Sequence, residues 1–324
     1  MGLQNKHAFI DRDLWPIFQE KKFHCSGKYL VPFTMIADKA GISHAEVTES
    51  YYRWLDMKTT FVTEPIKNIP KTVNGSRIKT LVALPDLHVP QPCPGEIHGS
   101  ALAALEFCND FKPDEIVGVG DWGEFESISH WMKNKKLDIE GLRLSRDLDA
   151  VNTLVDDCCR MTDKFTYIKG NHEEWLDKYI NEHPELLGMF ELHKYCEFEK
   201  KNIEWFEYGK VYTVGNVNLT HGWYANKYHA NKHATEYGDN IYYGHTHDVQ
   251  SFTHHRRSHE DQLPFEAMSI GCLCETSPAY VKNRPHKRVN AFGIFYIMDD
   301  GSYTRYVPII INDQFIWNGK LYKG

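Results

Sequence analysis

The sequence predicts an α/β protein with two sheets, preceded by a small helical region. Three observations carry this. From residue 78 onward, short apolar runs alternate with segments of helical spacing, the pattern of βαβ units. After Trp205 the pattern changes to closely spaced strands, which predicts a second sheet. Before residue 65 the chain reads as helical, and a stretch rich in turn residues separates it from the rest.

The elements follow in chain order. Thr34–Trp54 reads TMIADKAGISHAEVTESYYRW. Ala37, Gly41 and Val47 fall where a helix-turn-helix needs a small residue, a turn glycine and a core aliphatic. Met35, Ile36, Ile42 and Tyr51 can complete a small core. Its second helix carries His44, Glu46 and Glu49, which face phosphates poorly, so DNA binding and simple packing both stay open. PIKNIPKTVNGS, residues 65–76, supplies two prolines and an Asn-Gly and reads as a linker. The expected division is therefore a helical region over 1–75, with its helix-turn-helix-like segment at 34–54, and a second domain over 76–324.

Beyond the linker, Ile78–Leu84 reads as a buried strand, Ser100–Asp110 as a helix and Glu115–Val119 as a strand. Ser145–Cys158 places Leu148, Val151, Leu154 and Val155 at helical spacing. Lys164–Ile168 reads as a strand and Glu173–Ile180 as a helix, so the first sheet is expected to be mainly parallel. The strand-like runs 211–214, 217–220, 241–243, 265–270, 292–298 and 303–309 are expected to form the second sheet.

Composition narrows the function classes. Hydrophobic residues at 42% and charged residues at 25% exclude wholesale disorder and fibrous repeats. No apolar run approaches the roughly 20 residues that cross a bilayer, and Met1–Phe9 lacks the apolar core of a secretory signal. Eight cysteines at irregular spacing, none in a CxxC, fit reduced thiols and a cytoplasmic setting. A net charge of −7 excludes a basic coat for the whole molecule. Its distribution is uneven: residues 1–77 carry 11 basic and 8 acidic side chains, and the remainder is strongly acidic.

Five short segments, most of them just beyond an expected strand, carry the candidate chemistry. They are Asp86-Leu-His88, Gly120-Asp121-Trp-Gly-Glu124, Gly170-Asn171-His172-Glu173, Thr220-His221-Gly222 and Gly244-His245-Thr-His247. Loops at the carboxyl ends of strands converge on one edge of an α/β sheet. The residue types, Asp, His, Asp, Asn and three further His, suit Mn²⁺, Fe or Zn²⁺. The set is too large for one tetrahedral ion and suits two ions sharing a carboxylate. His229 and His233 in HANKH have zinc-compatible spacing but read as a solvated helix. His254, His255, Arg256, Arg257 and His259 read as an exposed loop or an electropositive lip for phosphates. Trp122, Trp131, Tyr224, Tyr228, Tyr242 and Tyr243 flank the motifs, mostly as core, with one or two free to stack on a base. Cys272 and Cys274 read as buried packing.

In this order the segments resemble the calcineurin-like metallophosphoesterase family, whose pattern is DxH, GD, GNH[ED], H and GHxH. The resemblance runs from Asp86 to His247 and implies a family domain over about residues 78–310, with an αββα-like sandwich. It implies that Asp86, His88 and His247 bind one divalent metal, that Asn171, His221 and His245 bind another, and that Asp121 bridges them. Mn²⁺ is the first choice of metal, with Fe or Zn²⁺ as alternatives. A hydroxide held between the ions would attack phosphorus, with His172 assisting the leaving group. Family members usually place Asp or His three residues after the bridging Asp to orient that histidine; here Glu124 stands there, as a departure that would have to be accommodated. The expected activity is phosphodiester hydrolysis on nucleic acid, in the style of the family's nucleases, with DNA held through the front region. A phosphomonoesterase is the alternative, and a non-catalytic binding module is disfavoured because His172 is present. No membrane partner is expected, and self-association is compatible with the sequence.

Overall fold

The computed structural model describes residues 14, 40–43, 46–47, 50, 72–73, 76–93, 96–135, 137–255, 264–278, 281–282 and 284–324. The chain divides into two compact units, Met1–Pro65 with Pro92–Glu96, and Ile66–Gln91 with Ile97–Gly324.

In the first unit Gly41 lies in a turn with φ +66°, followed by a helix start. Ser43 N donates to Glu46 Oε2 at 2.9 Å, and Glu46 N donates to Ser43 Oγ at 3.2 Å. That reciprocal pair is a capping box. Val47 is buried. Apart from residues 40, 42 and 50, the rest of the 34–54 segment lies outside the described residues, and with it the expected DNA contact.

The second unit is mixed α/β. Its elements are β1 (Thr72–Val73), β2 (Ser76–Arg77), β3 (Lys79–Leu84), α1 (Gly99–Phe111), β4 (Glu115–Val119), α2 (Leu144–Met161), β5 (Phe165–Ile168), α3 (Asn171–Glu182), α4 (Leu192–Tyr195) and β6 (Glu204–Phe206). They continue with β7 (Tyr212–Val214), β8 (Val217–Thr220), α5 (His229–Tyr237), β9 (Ile241–Tyr243), β10 (Val249–His254), β11 (Phe265–Ile270), β12 (Gly293–Ile297), β13 (Tyr303–Tyr306), β14 (Gln314–Trp317) and β15 (Lys320–Lys323). The larger sheet has the order β13-β12-β3-β4-β5-β6, with β3 to β6 parallel and β12 and β13 antiparallel. The smaller has the order β10-β11-β9-β8-β7 and is also mixed.

Strand alternation separates the cores, because successive side chains point to opposite faces. On β3, Val82 and Leu84 join a cluster with α1 and α2, including Phe107, Leu148 and Val155. Leu81 and Ala83 face the other way, into a cluster with Val217, Leu219, Tyr242 and Ile270 of the smaller sheet. Tyr243 and Ala267 pack on Ala234 of α5.

Two expectations are corrected. The runs at 292–298 and 303–309 do form strands, but β12 and β13 extend the larger sheet. Apolar periodicity reports that a strand is buried, not which strand it pairs with; Ile294 and Phe295 simply fill opposite clusters. The HANKH helix forms as α5, yet its histidines are its buried face, not a solvated one. His229 bonds Tyr243 Oη at 2.7 Å and Asp248 Oδ2 at 3.1 Å. His233 Nδ1 donates to His229 O at 2.8 Å, and Nε2 accepts from Trp223 N at 3.2 Å. The seven described cysteines are free thiols. Among the described residues no helix is long and apolar enough to cross a membrane.

His233 makes stability depend on pH. Burial, with His229 and His245 nearby, pushes it down to about 4. The unfolded imidazole titrates near 6.5, so between those values only the unfolded state takes up the proton and folding weakens as pH falls. The loss reaches about 2–3 kcal/mol at pH 4.5. Urea unfolding at pH 7 and pH 4.5 should show His233→Gln losing less stability than wild type by about that amount; equal losses would mean that His233 does not carry the dependence.

Candidate metal centre

The five segments meet at one edge of the second unit. Asp86 and His88 follow β3, Asp121 follows β4, Asn171 opens α3 after β5, His221 follows β8, and His245 and His247 follow β9. The two loops after β3 and β4 are laced together. Asp86 N donates to Gly120 O, His88 N to Asp121 O and Val89 N to Trp122 O, at 3.2, 3.0 and 2.7 Å.

The donor atoms form two groups about Asp121. In one, Asp86 Oδ1 lies 3.1 Å from His247 Nε2 and 3.9 Å from His88 Nε2, and the two Nε2 atoms are 3.2 Å apart. In the other, His221 Nε2 lies 3.1 Å from Asn171 Oδ1, and the His245 ring centroid is 5.1 Å from that of His221. Asp121 Oδ2 sits between the groups, 3.2 Å from His221 Nε2 and 3.9 Å from His88 Nε2. Asp86, His88, Asp121, His221 and His247 are buried, while Asn171, His172 and His245 are partly open to solvent.

Partners behind the rings set the tautomers. His88 Nδ1 faces Glu124 Oε2 at 2.8 Å, and His221 Nδ1 donates to Val119 O at 2.8 Å. Each ring nitrogen so engaged leaves Nε2 as the lone-pair donor toward the centre, the arrangement that metal-binding histidines use. Cys274 Sγ lies 3.8 Å from His247 Nδ1. The field calls for positive charge. Burial pulls His247 down, but Asp86 outweighs it and holds the imidazole up at about 10. Burial likewise opposes Asp121 at His221, and Asp121 wins, holding it up at about 9. Burial, then the neighbouring His221, pushes His245 down to about 4. Burial raises Asp121, yet His221 and His172 hold it well below the usual carboxylate range. A divalent cation satisfies the same field with the imidazoles deprotonated. Three groups here could hold a metal ion: His88–His247–Cys274, His88–Asp121–His172 and Asp121–His221–His245.

The expected contact between the Glu124 carboxylate and His172 is replaced by another. The carboxylate goes to His88, and it is the Glu124 backbone oxygen that accepts from His172 Nδ1, at 2.6 Å. The longer side chain carries its carboxylate past His172 to the neighbouring ring, which stands edge-on to His172 at 4.6 Å. Sequence reasoning gave no role at the site to three further contributors. Glu173 is fully buried, with Oε2 accepting from Gly170 N and Asp121 N and Oε1 from Trp122 N, Gly123 N and Tyr167 Oη, all at 2.7–3.3 Å. Trp175 stacks on His172 at 3.9 Å. Cys274 backs His247. The i, i+3 spacing of Trp175 and His172 on one helix was the available signal for the stack. Of the basic run, His254 and His255 are exposed, and Arg256, Arg257 and His259 lie outside the described residues.

The local backbone is specialised. Asp86, His88, Asp121, His245 and His247 have φ of 47°, 49°, 51°, 65° and 57°. This left-handed region is uncommon for side-chain-bearing residues and gathers at functional sites. Two glycines are required by contact: a Cβ on Gly244 would lie 2.1 Å from Asp86 Oδ2, and one on Gly170 would lie 2.1 Å from Asp121 Oδ1.

The chain matches no protein-family model and no curated protein. The chain has a mixed α/β fold whose strand ends gather buried imidazole and carboxylate groups that could hold a metal ion.

Two substitutions test the centre. Glu124→Ala should weaken Mn²⁺ binding by about 10- to 100-fold by releasing His88. Gly244→Ala should weaken it at least as much by displacing Asp86. Titration calorimetry on stripped protein reads both; affinity within twofold of wild type for Glu124→Ala would remove its orienting role.

Proposed function

We propose that the chain is a metal-dependent phosphoester hydrolase of the calcineurin-like type, its second unit an αββα metallophosphoesterase sandwich, acting on phosphodiesters of nucleic acid. The observation that carries the reading is the position of Asp121 Oδ2, at the end of β4, between two groups of donors drawn from four other strand ends. Asp86, His88 and His247 would hold one divalent cation, and Asn171, His221 and His245 a second, with Asp121 shared. Two Mn²⁺ ions bound there would supply a nucleophilic water at neutral pH and neutralise the phosphoryl oxygens.

The chain's own residues complete the chemistry. His172 donates Nδ1–H to the Glu124 carbonyl, so its Nε2 faces the centre, 3.9 Å from Asp121 Oδ2. Trp175 holds the ring flat against it. From there Nε2 can carry a proton to the leaving-group oxygen. Asp121 Oδ1 accepts from His172 N at 2.9 Å, so the shared carboxylate and the proton carrier move as one piece.

The test is a paired assay on Mn²⁺-reloaded protein with bis-p-nitrophenyl phosphate and p-nitrophenyl phosphate. The diester should be preferred. A monoester preference transfers the reading to a phosphatase of nucleotides, phosphoproteins or small metabolites, and turnover of neither sinks it. His172→Ala should lower kcat about 10²- to 10⁴-fold with metal content unchanged. Asp121→Asn should disturb both ions; two tightly held ions in that variant would refute the shared carboxylate.

A further inference from the structure

We propose that the exposed indole of Trp223 is a stacking platform for a nucleobase whose phosphate lies at the Asp121 cluster, which makes the substrate class a nucleotidyl phosphate ester presented by a single strand. This rests on the phosphoesterase reading and deepens it.

Trp223 stands two residues after His221 and is 49% exposed, whereas Trp122 beside Asp121 is fully buried. Yet the exposed indole is held in place. Its backbone N donates to His233 Nε2 at 3.2 Å. Its ring packs on Tyr208, centroids 4.5 Å apart, and Tyr208 in turn lies 5.9 Å from the His221 ring. It also lies over Gly209, where a Cβ would come within 2.5 Å of the indole. A ladder of rings therefore runs from a metal-facing imidazole outward to solvent. A ring already fixed in place loses little conformational freedom when a ligand covers it.

The composition of the chain segment that carries it points to the same ligand. Residues 208–235 contain no Asp or Glu, in a chain with 44 of them, and carry Lys210, Lys227 and Lys232. Lys227 Nζ lies 5.1 Å from the ring centre of Tyr228, itself 66% exposed, and Lys232 Nζ lies 5.3 Å from that of Tyr224. Lys232 also pairs with Glu236. Exposed aromatic rings interleaved with lysines are what single-stranded nucleic acids bind, the bases stacking and the phosphates meeting cations. A free mononucleotide offers the same base and phosphate, and the experiment separates the two.

Binding of a hydrolysis-resistant phosphorothioate (dT)₈ and of a matching abasic octamer is measured by fluorescence anisotropy on the full chain, with and without Mn²⁺. Wild type should prefer (dT)₈ by about 5- to 150-fold. Trp223→Ala should shrink that preference to within twofold, and Trp223→Phe should keep most of it. Equal binding of the two octamers by wild type, or an undiminished preference in Trp223→Ala, overturns the proposal. Competition by thymidine monophosphate as effective as unlabelled (dT)₈ would identify the mononucleotide as the source, and failure to compete would identify the strand. Hydrolysis of bis-p-nitrophenyl phosphate is scored separately, so a base preference without turnover would leave the platform standing while removing the hydrolase reading.

Discussion

The Glu173 carboxylate lies beneath the cluster with five donors on two oxygens, four of them backbone N–H groups from the loops after β4 and β5. A buried carboxylate left unpaired is strongly unfavourable, and one so fully engaged is a stiff joint. It ties the first turn of α3, which carries Asn171 and His172, to the turn that carries Asp121. Those turns are connected further by His172 N to Asp121 and by the backbone ladder to Asp86. Shortening that carboxylate would strand several buried N–H groups at once, and the positions of Asp121, Asn171 and His172 would drift together.

Above that joint, the electrostatics follow from placing carboxylates among imidazoles away from water. Against the effect of burial, Asp86 and Asp121 pull His247 and His221 upward, while burial and then the neighbouring His221 push His245 down. Orientation is set from behind the rings, by Glu124, the Val119 carbonyl and Cys274. Positioning groups and facing groups thus come from different elements. Glu124 serves both: its side chain holds His88 and its backbone holds His172.

The mixed α/β character and the helices at 99–111, 144–161 and 171–182 were legible from composition and, for 144–161, from apolar spacing, with ends shifted by one to three residues. The grouping of Asp86, His88, Asp121, Asn171, His172, His221, His245 and His247 was legible because each follows a strand, and parallel strands deliver their carboxyl ends to one edge. Pairing was not legible: β12 reads the same whether it joins one sheet or the other. β10, VQSFTH, lacks an apolar alternation because none of it is fully buried. The partners of Glu124 were out of reach because they depend on how far a glutamate reaches past its own carbonyl. The burial of His229 and His233 was hidden because their hydrogen bonds to Tyr243, Asp248 and Trp223 join elements that sequence alone does not bring together.

The left-handed backbone at Asp86, His88, Asp121, His245 and His247 limits which replacements these positions accept. Asp, Asn, His and Gly adopt that conformation far more readily than other residues, for which it costs roughly 1–2 kcal/mol each. Mutational drift here therefore works within a short alphabet of oxygen and imidazole donors. Exchanging one of them for another could retune the site among borderline and hard cations, whereas bringing in thiolates would add backbone strain at every such step. The chain's conformation thus restrains which cations these side chains could suit before any ligand strength is considered.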